Sequence, residues 1–94
     1  MIYLVSNQRS LFETDAYKEL SLSDAIDMIM PHSWVEYDSE TAGLDPYTKP
    51  LLCTQYGLGE DQIVVDNVTI PIEKLKCVLE DPTKTFLGWN IALI

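Results

Sequence analysis

Apolar, β-prone residues follow one another from Ile2 to Ser6, which predicts a short strand, and Asn7 to Glu13 reads as a loop. The period then changes. Leu22, Ala25, Ile26, Ile29 and Met30 recur at helical spacing, so Leu20–Met30 is expected to be a helix, capped by Ser21 or Ser23 and stopped by Pro31. Trp34–Glu40, Leu51–Tyr56 and Gln62–Asp66 read as three strands. They are separated by turn signals at Ala42-Gly43, Asp45-Pro46 and Gly57-Leu58-Gly59, and such short connections predict an antiparallel meander. Pro71 opens a helix expected to run to about Glu80, with Ile72, Leu75, Val78 and Leu79 on one face, and Asp81-Pro82 breaks it. Thr85–Asn90 is a last strand, expected parallel to Trp34–Glu40 after a helical crossover. The order strand, helix, three strands, helix, strand makes a mixed sheet with helices packed on it, in the α/β or α+β class.

Composition narrows the class. Hydrophobic residues at 47% and charged residues at 22% exclude a disordered chain, and 94 residues make one small domain at most. The uncharged apolar runs are too short to span a bilayer, and Met1-Ile2-Tyr3-Leu4-Val5 lacks a basic flank and a cleavage site, so no membrane is expected and the cytoplasm is the expected compartment. Cys53 and Cys77 stand apart in apolar surroundings and read as two buried free thiols. The net charge of −9 argues against a surface that grips phosphates through basic residues; bound divalent metal or a basic partner domain would have to meet them.

Chemistry concentrates in Val35-Glu36-Tyr37-Asp38-Ser39-Glu40-Thr41-Ala42-Gly43-Leu44-Asp45-Pro46. Side chains two apart on a strand share a face, so Asp38 and Glu40 point the same way. Two carboxylates that close repel unless a cation lies between them, and Mg²⁺ or Mn²⁺ is the natural partner of oxygen donors. With fifteen acids in the chain, Asp-x-Glu alone is a weak signal and reads first as merely the polar end of a strand.

The longer string carries more. Asp38-x-Glu40-Thr41-x-Gly43-Leu44-Asp45-Pro46-Tyr47-Thr48, followed by Leu51-Leu52-Cys53-Thr54-Gln55-Tyr56-Gly57 and Gln62-Ile63-Val64-Val65-Asp66, resembles the first exonuclease motif of the DEDD superfamily of 3′–5′ exonucleases, of the polymerase I and ribonuclease D type, many members of which are phage polymerases. The resemblance covers roughly residues 34–90. It implies a ribonuclease H-like fold, with residues 34–94 as a core fragment and residues 1–33 as an N-terminal strand and helix. It implies that Asp38 bridges two divalent metal ions and Glu40 binds the one holding the attacking water. Thr41 and Leu44 match positions that contact the terminal nucleotide; Leu44 reads otherwise as an ordinary turn leucine. Thr85-Phe86-Leu87-Gly88-Trp89-Asn90 is similar to the start of the second motif, where Asn90 would contact the substrate strand, or would simply satisfy a turn.

The pattern then departs from the family. Ile94 stands where an Asp ligand is expected, and the third motif, with its Tyr and last Asp, is absent from these residues. Two of four carboxylates are present, so this chain alone is expected to be inactive or nearly so. Two functions follow as expectations. One is the front part of a proofreading-type exonuclease domain that acts on a single-stranded DNA 3′ end, RNA being the other candidate, with the rest of a polymerase chain as partner. The other is a catalytically dead, acidic interaction module that self-associates through an exposed sheet edge. His32 at a helix end reads as structural, and Glu60-Asp61 as a solvated tip.

Overall fold

The computed structural model describes residues 1–8, 17–41 and 51–88. The longest strand, β3 (Trp34–Thr41), shows why alternation matters: Val35, Tyr37 and Ser39 are buried while Trp34, Glu36, Asp38 and Glu40 are exposed. The next strand, β4 (Leu51–Gly57), pairs antiparallel with β3, and β5 (Gln62–Asp66) pairs antiparallel with β4, the expected meander. The N-terminal strand β1 (Ile2–Val5) lies parallel to β5, and the two-residue β2 (Lys18–Glu19) lies parallel to β1. The last strand, β6 (Thr85–Leu87), runs parallel to β3, as expected from the crossover. The six-stranded order is β2-β1-β5-β4-β3-β6, a mixed sheet of the ribonuclease H-like kind. The predicted turn through 42–49 and the end of the last strand lie outside the described residues.

One face of the sheet is packed by helices. The first helix, α1 (Leu22–Ile29), starts at Ser21, whose Oγ accepts a hydrogen bond from Asp24 N at 3.1 Å. It is shorter than the predicted Leu20–Met30 because Leu20 N donates to Leu4 O and so continues the β2 pairing. Ala25 and Ile29 are buried, but Met30 is 43% exposed, since it falls at the helix end rather than on the packed stripe. The second predicted helix is not continuous. A 3₁₀ turn (Ile72–Leu75) passes into a single α-helical turn, α2 (Lys76–Leu79). Ile72, Leu75 and Val78 recur every three residues, which suits a 3₁₀ turn better than the 3.6 period, and Leu75 and Val78 are fully buried. These residues join Tyr56, Ile63 and Val65 in the core. Cys77 faces outward and is exposed, and Cys53 is half-buried, so the expected pair of buried thiols is corrected to one partly covered thiol and one open one, both free.

Polar groups inside the core are linked in series. Tyr56 OH donates to Thr54 Oγ1 at 3.0 Å, Thr54 donates to Asn67 Oδ1 at 2.9 Å, and Asn67 Nδ2 donates to Ile70 O at 3.0 Å. Burial pushes the Tyr56 phenol well above its ordinary pKa, so it stays a donor. Ser39 Oγ, opposite Thr54 in the sheet, is buried without a hydrogen-bond partner among the described residues.

Asp66 ties the end of β5 to the end of β1. Its carboxylate accepts from Ser6 Oγ at 2.7 Å, Thr69 Oγ1 at 2.9 Å and Val68 N at 3.0 Å. Burial alone would raise its pKa, but these donors outweigh that and hold it below the ordinary carboxylate range. A depressed folded-state pKa contributes stability above the unfolded value of about 3.9, and that stability is lost as pH falls through the folded value. The urea midpoint of the wild type is therefore expected to fall more steeply below about pH 4 than that of Asp66→Asn. Parallel acid profiles would remove Asp66 from the acid response.

Candidate functional site

The sheet register places the other face in rows. Glu36 on β3 lies between Leu87 and Gly57, Gly57 lies beside Gln62, and Gln62 lies beside Ile2. In the next row Asp38 lies opposite Gln55, Gln55 opposite Val64, and Val64 opposite Leu4. In the third, Glu40 lies opposite Cys53, and Cys53 opposite Asp66. Strand alternation thus brings Glu36, Asp38 and Glu40 into one exposed file along β3. Beyond Glu40 the register slips, so that Thr41 meets Leu51 at the strand's end.

Asp38 Oδ1 accepts from its neighbour Ser39 N at 2.9 Å, which fixes the carboxylate against the strand. Cys53 Sγ lies 4.0 Å from Glu40 Oε2. Burial, and then the Glu40 charge, push the Cys53 thiol up, so it stays protonated and can serve as a weak donor to that carboxylate. Across the strand, burial and then the Asp38 charge push Tyr37 up to about 12. The ion pairs formed among the described residues involve Asp61, Glu80 and Asp81, and none involves Glu36, Asp38 or Glu40.

Glu36 and Asp38 form one wall of a groove of about 740 Å³. Gln55 and Gln62 line it too, joined by a Gln62 Nε2 to Gln55 Oε1 hydrogen bond of 2.8 Å. Gly57 keeps the floor low: a Cβ there would lie 3.0 Å from Glu36 Cβ. The sequence pointed to Asp38 and Glu40 but not to Glu36, although the same two-residue alternation places it on the face. Gln55 and Gln62 entered only as strand residues, because cross-strand register is not legible in one strand. Leu44 and Asn90 lie outside the described residues.

Asp38 and Glu40 suit a hard divalent cation: they are exposed oxygen donors on one face, with no described cation paired to them. Among the described residues no group of three or more potential metal ligands is assembled. Among the same residues no helix is long and apolar enough to cross a membrane.

No protein-family model matches the chain, and no curated protein matches it in sequence. Solved structures do match. The crystal structure of Escherichia coli RNase D, described as an exoribonuclease involved in structured RNA processing, superposes with a TM-score of 0.61 over 73% of this chain at 21% identity. The match spans 19% of the RNase D chain, and at this identity what the two share is the fold.

Proposed function

We propose that this chain carries the first carboxylate pair of a metal-dependent 3′–5′ exonuclease domain, acting on a nucleic-acid 3′ end. The observation that carries the reading is the exposed pair Asp38 and Glu40, on one face of the longest strand of a fold shared with RNase D and without a described cation to neutralise it. The motif around the pair resembles proofreading domains of DNA polymerases, which makes a DNA 3′ end the first substrate to try and RNA the second. A divalent metal held there would supply the Lewis acid that activates water and stabilises the leaving oxygen.

The chain's own residues orient and neutralise. Ser39 N holds Asp38 through Oδ1, and the Cys53 thiol leans on Glu40. Among the described residues, the three rows of the face carry no Lys or Arg. With two of the four family carboxylates present, the 94 residues alone should hold metal weakly and turn over little.

The test is a Mn²⁺ titration of the folded chain by calorimetry, with Asp38→Ala as control. Saturable binding on the order of 0.1–1 mM is expected, as for sites with few charged ligands, and it should vanish in the variant. A folded protein that takes up no Mn²⁺ at millimolar concentration, or that binds equally well without Asp38, overturns the reading. A second reading, self-association through a sheet edge, has the edge position of β6 in its favour. Three residues make a short template, however, and a monomer in sedimentation would dispose of it.

A further inference from the structure

The β3–β4 ladder is regular from Glu36↔Gly57 to Glu40↔Cys53 and then slips: Thr41 pairs with Leu51, so Leu52 is an extra residue on β4. On its other side β4 keeps its register, because Asn67 N donates to Leu52 O at 2.9 Å, one step beyond the Cys53↔Asp66 pair. Leu52 is therefore a β-bulge toward β3 alone. Strand alternation would give it the face of Thr54 and Tyr56, which are fully buried, yet Leu52 is 37% exposed. Burial of its side chain does not account for the extra residue.

Its place in the sheet does. In a regular strand, side chains two apart stand roughly 7 Å from each other. Oxygens bound to one Mg²⁺ or Mn²⁺ ion lie on the order of 3 Å apart. Asp38 and Glu40 must therefore lean together to share an ion. Asp38 is the fixed member, because Ser39 N holds its Oδ1 at 2.9 Å. Glu40 is the adjustable one, with only a loose contact of 4.0 Å from the Cys53 thiol to its Oε2. A bulge bends its own strand and raises the local twist. Here the bend falls next to Cys53, at the Glu40 end of the pair.

We propose that the bulge at Leu52 positions Glu40 to share an ion with Asp38. Leu52 is a positioning residue through its presence in the chain and not through its side chain. The proposal rests on the metal reading and deepens it, by naming what tilts one carboxylate towards the other.

The experiment measures Mn²⁺ binding, by calorimetry and by paramagnetic broadening of ¹⁵N amide signals, in the wild type and three variants. Leu52→Ala keeps the residue count and should bind within about threefold of the wild type. Deletion of Leu52 makes the ladder regular, and affinity is expected to fall at least about tenfold. Insertion of one alanine between Glu40 and Thr41 removes the mismatch from the other strand and should have the same effect. Broadening in the wild type should centre on Asp38, Glu40 and Cys53, and both ladder variants should lose it while keeping the wild-type circular dichroism spectrum. A folded ladder variant that binds as tightly as the wild type overturns the proposal. So does a loss in Leu52→Ala as large as that in the deletion, which would make the side chain the agent. Absence of binding in the wild type overturns the metal reading and this proposal with it, whereas equal binding in all four proteins overturns this proposal alone.

Discussion

Gly88→Ala is expected to lower the melting temperature by roughly 12–24 °C, the largest effect of a methyl added at any of the described glycines. A Cβ built at Gly88 would lie 1.9 Å from the Tyr37 carbonyl oxygen and 3.0 Å from its carbonyl carbon. Both are backbone atoms of β3, so no flexible side chain can yield. The chain after Leu87 would have to leave β3, and the parallel ladder from Trp34↔Thr85 to Glu36↔Leu87 would go with it. A cost of about 3 kcal/mol is at the top of what overpacking usually brings, and here the obstacle is rigid. Thermal unfolding followed by circular dichroism measures it. A variant melting within two or three degrees of the wild type would mean that Gly88 does not lie against Tyr37.

The position matters for the site as well as for stability. Tyr37 precedes Asp38, so the close approach at Gly88 brings the end of β6 beside the carboxylate file. Glycine is the residue that lets two backbones meet this closely. Gly88 sits in the Phe-Leu-Gly-Trp-Asn string that resembles the second exonuclease motif, and its contact gives that glycine a physical reason to be there. Loss of β6 contact should therefore also weaken Mn²⁺ binding at Asp38, if Asp38 depends on its strand for orientation.

Local pattern made much of the fold legible. Alternation in β3 and the Val/Ile run in β5 placed both strands to within a residue, and Ser21 together with Pro31 bracketed α1. What pattern could not supply was adjacency: nothing within Ile2–Val5 says that it lies between β2 and β5, because parallel pairing is settled by the whole sheet. The second helix was misread because Ile72, Leu75, Val78 and Leu79 satisfy two periods at once, and burial of every third residue decided for the tighter turn. At the site, the two-residue spacing of Asp38 and Glu40 was enough to put them on one face. The same spacing extends to Glu36, but it takes register across β4 and β5 to show that Gln55, Gln62 and a glycine floor complete the groove.

Lys84 was invisible to sequence reasoning, yet Lys84→Met is expected to cost about 2–4 kcal/mol. The Lys84 side chain is only 1% exposed, and its ammonium donates to the carbonyl oxygens of Met30 and, at 2.8 Å, His32, with the Asp81 carboxylate at 3.8 Å. No basic residue occupies the last turn of α1, so a cation delivered from the start of β6 serves the negative end of that helix. Met matches the length and apolar stem of lysine but donates nothing, so the variant leaves two carbonyls and one carboxylate short of a donor while barely disturbing packing. Lys84→Arg keeps the charge but brings a wider, planar head and should recover only part of the loss. Asp81→Asn should cost far less than Lys84→Met, because it leaves both carbonyl bonds in place. Urea unfolding of the three variants separates the contributions. If Lys84→Met unfolds within half a kcal/mol of the wild type, the buried ammonium is not what joins α1 to β6, and the hydrogen bond from Thr85 N to Ser33 O together with the β3–β6 ladder must hold them unaided.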